Sequence, residues 1–335
     1  MGILRTEVLH SQIQGKNGEG QDQLITQYKV QSIMKPKTVR NFYPQIDVEV
    51  KHIVELLASV TESEGSVNPE KLLKLLSLNV VLATMTGLRA ESLDDPLATQ
   101  IIYYIEGMFQ ETGTVGDITA FLPILSYIDR FTGIQKRYED ITTKGRDIYF
   151  GQMIQEALNS DRDCLIKELY KIKEEGELDE YDLLVTIGDI IGGATDTTAT
   201  SLSWGIATLC HYPDVQKRIA GEIDAFIKEH GRLANVSDRD AFPYTLCVIK
   251  ECLRSHCVGP FGVPHAASED FEYKGYHIPK GATVLSNLTE QNKSSNRYEN
   301  PHMFNPERYA DDHKSMGVSA VGSAQERDHY SFGWG

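Results

Sequence analysis

An acid stands directly beside an alcohol in the run Gly192-Gly193-Ala194-Thr195-Asp196-Thr197-Thr198, and such a pair can hand on a proton. The run interrupts an apolar helical pattern that extends from Leu183 through Leu202 and Trp204. Glycine and threonine are poor helix formers, so their presence in mid-helix asks for a reason other than propensity. Close helix packing at small residues and a cap at Asp196 are two such reasons. A phosphate loop is not, because no lysine follows the glycines as a P-loop requires. The functional reading is a helix that passes over a cofactor. Asp196 then relays protons, Thr197 hydrogen-bonds a bound oxygen species, and the minimal side chains of Gly193 and Ala194 leave room for it.

Three further groupings follow along the chain. Glu251 and Arg254 in Glu251-Cys252-Leu253-Arg254 share one helix face, which for an isolated surface pair means about a few tenths of a kcal/mol. Phe304-Asn305-Pro306-Glu307-Arg308-Tyr309 reads as a turn started by proline. Arg327-Asp328-His329-Tyr330-Ser331-Phe332-Gly333-Trp334-Gly335 closes the sequence with an aromatic and glycine-rich loop. The five cysteines, Cys164, Cys210, Cys247, Cys252 and Cys257, are odd in number and follow no secretory signal, so a reducing compartment fits better than a disulfide framework. The last three recur every five residues, a step of about 500° on a helix that scatters the thiols instead of converging them on a metal. Buried, inert thiols are the expectation.

The elements that must carry these groups are mostly helical. The 335 residues are 41% hydrophobic and 24% charged, enough to bury a sizeable core. A net charge of −15 argues against a nucleic-acid partner, which would need clustered Lys and Arg. The most apolar stretch, Leu72 to Leu88, is broken by Lys74, Ser77 and Asn79 and falls short of the roughly 20 apolar residues of a membrane span. It is read as a buried helix, with no membrane span in the chain. Met1 to Asp22 is polar and lacks a signal or anchor pattern, so the chain as written is expected to be soluble and cytoplasmic. Ile46, Val50, Ile53, Val54 and Leu57 form a stripe after Tyr43-Pro44, and further helices are expected at 68–85, 96–110, 134–159, 161–173, 180–209, 213–230 and 242–256. After Pro260 come short β-type segments, Phe271-Glu272-Tyr273, His277-Ile278 and Ala282-Thr283-Val284-Leu285, then a long irregular stretch. The fold class is mainly α, of the α+β kind: a polar segment 1–41, then one domain over 42–335.

Order and spacing turn four weak matches into one specific pattern: the Asp-Thr-Thr helix, Glu-x-x-Arg, Pro-Glu-Arg-Tyr, and Phe332-Gly333-Trp334-Gly335. From Phe42 to Gly335 the chain resembles the cytochrome P450 family in its microsomal, fungal form. The resemblance implies a haem cofactor and a monooxygenase that inserts one oxygen atom of O₂ into an apolar small molecule, with electrons from NADPH-P450 reductase. It also implies the endoplasmic reticulum membrane for a full-length member, and secondary metabolites such as terpenoids, polyketides or indole products as substrates. Glu251, Arg254 and Arg308 would form a buried structural network that braces the loop presenting the iron's thiolate. Phe332 and Gly335 would lie in that loop against haem. His265 would be a donor to a haem propionate, with an exposed turn histidine as the alternative. Phe121 to Leu125, Ile187 to Thr197 and Val258 to Val263 would line the substrate pocket.

The sequence departs from the family pattern in places. Ala194 replaces a usual glycine, and Asn292, Ser294 and Ser295 replace a usual His, Asp and Pro. The first sheet and the Trp- and Arg-bearing helix that should precede Phe42 are not recognisable from Leu4 to Tyr28. The Arg and Cys that should follow Gly335 are not in the sequence, so no metal ligand is assigned. The expectation is therefore a P450 fold truncated at both ends, doubtful in haem binding and catalytically inactive as written, with apolar surface exposed where the helix after the thiolate would pack. A non-enzymatic helical remnant or interaction protein is the alternative.

Overall fold

Pro44 fits the first turn of a helix, where a missing N–H costs nothing. The first helix accordingly runs from Tyr43, in a computed structural model that describes residues 38, 40–112, 133–176, 178–262, 265–312, 314 and 316–333. Helix α1 (Tyr43–Glu64) ends at Gly65, whose φ of 76° lets its N–H reach back to the Thr61 carbonyl. Its buried face follows the expected stripe only in part, at Ile53 and, half-buried, at Ile46 and Leu57. Val50 and Val54 are exposed, while Ile53 and Glu49 are buried. Glu49 is paired there with Arg89, whose Nε meets its Oε1 at 2.7 Å, so its charge is not left alone on the buried face.

Helix α2 (Glu70–Met85) buries Leu73, Leu75, Leu78, Val81, Leu82 and Met85 and packs on α1. Asn79, also buried in α2, satisfies both backbone groups of Ala90 at 2.9 Å, which ties down the turn after the helix. Helices α3 (Pro96–Thr112), α4 (Ile134–Asp140), α5 (Tyr149–Asn159), α6 (Leu165–Glu174) and α7 (Glu180–His211) follow. The single helix expected over 134–159 contains a π-helical stretch, Ile141–Ile148, that joins α4 to α5. Buried Arg146 in that stretch stacks over Tyr181 at 4.9 Å, and a Cβ added at Gly145 would come within 3.1 Å of the Tyr104 Cβ. Ile101, Ile105, Phe150, Ile154, Ile166, Leu169, Leu183, Ile187 and Ile191 belong to one buried apolar cluster.

The chain divides within α7, between Ala199 and Thr200, into two compact units. In the second, α8 (Pro213–His230) and α9 (Pro243–Ser255) pack on each other, with a 3₁₀ turn, Val236–Ala241, between them in sequence. Strands β1 (His265–Ala266) and β4 (Thr283–Val284) pair antiparallel, as do β2 (Phe271–Tyr273) and β3 (Tyr276–Ile278). These are two separate two-stranded ladders in place of the single small sheet expected. Lys274 and Gly275, both at positive φ (52° and 81°), make the two-residue turn of the β2–β3 hairpin. Part of the expected irregular stretch is ordered as α10 (Leu288–Asn292), a 3₁₀ turn Pro306–Tyr309, and α11 (Met316–Val321). Among the described residues, no helix is long and apolar enough to cross a membrane.

Candidate functional site

Helix α7 carries the acid and the alcohol on neighbouring positions, about 100° apart around its axis. Thr197 and Gly193 share an exposed face, where a Cβ at Gly193 would meet nothing within 4 Å. Thr197 Oγ1 donates to the Gly193 carbonyl at 2.5 Å, and buried Thr195 Oγ1 donates to Ile191 at 2.7 Å. Such back-bonding lets hydroxyl side chains sit inside a helix while tending to bend it. Ala194 packs against the apolar cluster of the first unit.

Asp196 has a partner that its own motif does not announce. Lys74 Nζ, on α2, lies 3.3 Å from Asp196 Oδ1 and 2.9 Å from Glu106 Oε1 on α3. Burial lowers the affinity of Lys74 for its proton, but the hydrogen bond to Glu106 and the charges of Asp196 and Glu106 outweigh it and raise the pKa above 10.5. An ammonium held between two carboxylates thus stays charged at neutral pH.

Glu251 and Arg254, both on α9, are 0% and 1% exposed. Two charges leave water only when their hydrogen-bonding capacity is met inside, and here it is. Arg254 Nε and Nη2 donate to the two Glu251 oxygens at 2.7 Å each, while Nη1 donates to the carbonyls of Asn292 at 2.7 Å and Pro301 at 2.9 Å. Glu251 Oε1 also accepts the Asn305 N–H at 2.8 Å and lies 3.3 Å from Arg308 Nε. Arg308 donates in turn to the carbonyls of Glu299, Asn300 and Met303. The structure therefore brings Glu251, Arg254 and Arg308 together around the stretch 292–308.

The loop after α11 is held by other residues. Arg327 donates to Gly322 at 2.9 Å and to the carbonyls of Phe332 and Gly333 at 3.0 Å each. Asp328 accepts through its carbonyl from Tyr298 at 2.9 Å and Tyr309 at 3.3 Å, and its N–H donates to Ser319 at 2.7 Å. Ser331 Oγ donates to the Leu253 carbonyl at 2.5 Å, and Asn292 Oδ1 accepts the Tyr330 N–H at 2.8 Å. Lys250, 1% exposed, places its Nζ 2.9 Å from Asp328 Oδ2 and 3.2 Å from Asp312 Oδ2. Neither Lys250 nor Asn292 was singled out for such a role from the sequence, although Lys250 directly precedes the Glu-x-x-Arg motif.

Of the remaining expected residues, His265 is half-buried in β1 opposite Val284, and burial pulls its pKa below 6.5. Phe332 is 51% exposed, with its ring 5.4 Å from that of His329. Gly335, Val263 and the segment Phe121 to Leu125 lie outside the described residues. Leu202, Trp204 and Ile206, on the second half of α7, are 39%, 49% and 37% exposed.

The cytochrome P450 family model matches residues 21–335. Cytochrome P450 2D6 of Homo sapiens is 30% identical over 251 residues, which are 72% of this chain and 50% of that protein. Cytochrome P450 1A5 of Gallus gallus is 28% identical over 79% of this chain and 51% of its own length. Cytochrome P450 monooxygenase atE of Aspergillus terreus is 28% identical over 89% of this chain and 58% of its own length. The chain belongs to the cytochrome P450 family, whose members are haem monooxygenases. It spans about half the length of the curated relatives it matches.

The family's haem needs a cysteine thiolate as axial ligand. No cysteine occurs in residues 327–335. Of the thiols expected to be buried, only Cys164 and Cys247 are; Cys252 and Cys257 are half-buried on or just beyond α9, and Cys210 on α7 is exposed. Burial and the charge of Glu251 push the Cys252 thiol up to about 11, the opposite of what a metal ligand requires. Among the described residues no three His, Cys, Asp or Glu side chains converge on a metal position. No axial thiolate is therefore assigned among the described residues.

Proposed function

We propose that the whole protein to which these residues belong is a haem-thiolate monooxygenase that oxidises an apolar small molecule with electrons from NADPH-P450 reductase. The observation that carries this reading is the fully buried Glu251–Arg254 pair, joined by Arg308 and Asn305, beside a loop whose every residue from Arg327 to Ser331 is hydrogen-bonded. So much polar investment is hard to account for unless the loop must be held still. A cysteine thiolate following Gly335 would supply the haem iron's ligand; Phe332 and Gly335 would contact the haem, and His265 would donate to a propionate. In α7, the Asp196 carboxylate and the Thr197 hydroxyl would hold and pass on protons, with Gly193 keeping the Thr197 face open while Ala194, expected to share that role, packs against the apolar cluster instead.

The substrate class proposed is secondary metabolites such as terpenoids, polyketides or indole products, supported by the extent of the match to the Aspergillus terreus monooxygenase. The endoplasmic reticulum membrane is the proposed site of the whole protein. Residues 1–335 alone would not turn over, because the loop cysteine that would hold haem iron and donate electron density to it is not among them. The test is the reduced, carbon monoxide difference spectrum of the 335-residue polypeptide beside that of a form extended through a loop cysteine. The thiolate-type band is expected only in the extended form. A band from the shorter one would assign the ligand to another cysteine, and none from either would favour a non-enzymatic role.

A further inference from the structure

Among the described residues, none of the side chains of Glu251, Arg254 and Arg308 hydrogen-bonds to the loop 327–333; their partners all lie between 251 and 308. The network is therefore one step removed from the segment it is expected to brace. One side chain supplies that step. Asn292, at the end of α10, is 0% exposed. Its carbonyl accepts from Arg254 Nη1 at 2.7 Å, and its side-chain Oδ1 accepts from the Tyr330 N–H at 2.8 Å.

We propose that Asn292 is the positioning residue that transmits the Glu251–Arg254 ion pair to the loop, its main chain fixed by Arg254 and its side chain fixing the Tyr330 amide. Arg254 is an unusually firm anchor, since a guanidinium clamped by both oxygens of one carboxylate is constrained in direction as well as position. A hydrogen bond from such a cation to a carbonyl is among the stronger neutral-acceptor contacts in a protein. The peptide plane of Asn292 thereby sets where its Cβ points, and the short amide side chain leaves few rotamers by which Oδ1 can still meet Tyr330. A second hold on Tyr330 lies on the other side of the residue: its hydroxyl donates to Ala324 at 3.0 Å, and Arg297 stands 4.7 Å from its ring centre. The Asn292 bond thus fixes the main chain of a residue whose ring is already seated.

The inference rests on the monooxygenase reading only for what the loop is for; the bond relay stands without haem. Amide hydrogen exchange of the complete chain tests it. In the unsubstituted protein the Tyr330 amide is expected to be among the most protected of residues 327–333. Asn292→Leu is expected to raise its exchange rate about tenfold, the worth of one buried hydrogen bond, while amides in the middle of α9 keep theirs. Asn292→Asp retains an acceptor oxygen and is expected to restore the protection. A Tyr330 amide that exchanges as fast as its exposed neighbours, or that Asn292→Leu leaves unchanged, overturns the proposal. So does equal loss in both variants. Should Asn292→Leu not fold, the first and third measurements decide. The carbon monoxide spectrum reads the monooxygenase proposal separately, so failure of one does not imply failure of the other.

Discussion

Lys250 Nζ lies 2.9 Å from Asp328 Oδ2, with both side chains almost wholly removed from solvent at 1% and 3% exposure. The next residue of α9, Glu251, is buried too and turns to the opposite partners, Arg254 and Arg308. Two adjacent residues of opposite charge therefore anchor two different stretches of chain from one helix.

Removing one partner of a buried ion pair strands the other, at a cost of about 3–5 kcal/mol. Lys250→Met is expected to lower the stability of the complete chain by about 3 kcal/mol, read as a fall in the urea midpoint at constant slope. Adding Asp328→Asn to it should recover part of the loss. If the single substitution shifts stability by less than about 1 kcal/mol, the pair is screened and does not anchor the loop.

His329 gives the fold a sensitivity to mild acid. Burial first, and then the charges of Lys250, Arg254, Arg297 and Arg327, hold its imidazole neutral down to about 4. The unfolded chain takes up a proton near pH 6.5 and the folded one resists, so the stability is full above 6.5 and drains away as pH falls towards 4. At about 1.4 kcal/mol per pH unit the loss approaches about 3 kcal/mol. His329→Gln is expected to flatten that slope in a pH series of unfolding curves; an equal slope in both proteins would place the acid sensitivity elsewhere.

In a complete, haem-loaded enzyme, Thr197→Ala is expected to separate consumption of NADPH from formation of product. The ratio of product to NADPH should fall severalfold while stability changes by less than about 1 kcal/mol, because the lost bond is a back-bond within α7. An unchanged ratio would remove Thr197 from the proton path.

Lys74 offers a complementary probe. Its side chain is 21% exposed, and those of Glu106 and Asp196 are 54% and 27% exposed, so the pairs stabilise the fold only weakly, by about 1 kcal/mol or less. Lys74→Met is therefore expected to leave the unfolding midpoint nearly in place while changing turnover as Asp196→Asn does. Because the folded Lys74 pKa is raised, its small stabilisation is full below about pH 10.5 and is lost only as pH climbs through the folded value. Turnover unaffected by Lys74→Met would separate the Asp196 carboxylate from this ammonium in function.

Much of this was legible in advance. The helices between Glu70 and Ser255 were read to within a few residues, since apolar spacing, Pro44 and Pro213 at helix starts, and Gly65 and Gly231 at helix ends all act locally, whereas the short helices α10 and α11 were not foreseen. The buried face of α1 was read at Ile53 but not at Glu49, whose partner Arg89 lies 40 residues away. Glu251, Arg254 and Arg308 could be grouped through motif order, whereas Lys74, Lys250 and Asn292 could not. Their partners lie from 32 to 122 residues away and carry no spacing that a single sequence displays.

The π-helical stretch Ile141–Ile148 has a consequence for how mutations between α4 and α5 would be felt. A wide turn accommodates an extra residue, and each residue advances a helix by about 100°. The stretch thus works as a phase shifter that lets the surfaces before and after it address different neighbours. Deleting one residue there would let the wide turn tighten to an ordinary α-turn and leave Phe150, Met153 and Ile154 facing the interior they fill, whereas the same deletion at the start of α5 would spin them about 100° away from it. A one-residue length polymorphism should accordingly be absorbed at this place and felt as a rotation of a whole helical face just beyond it.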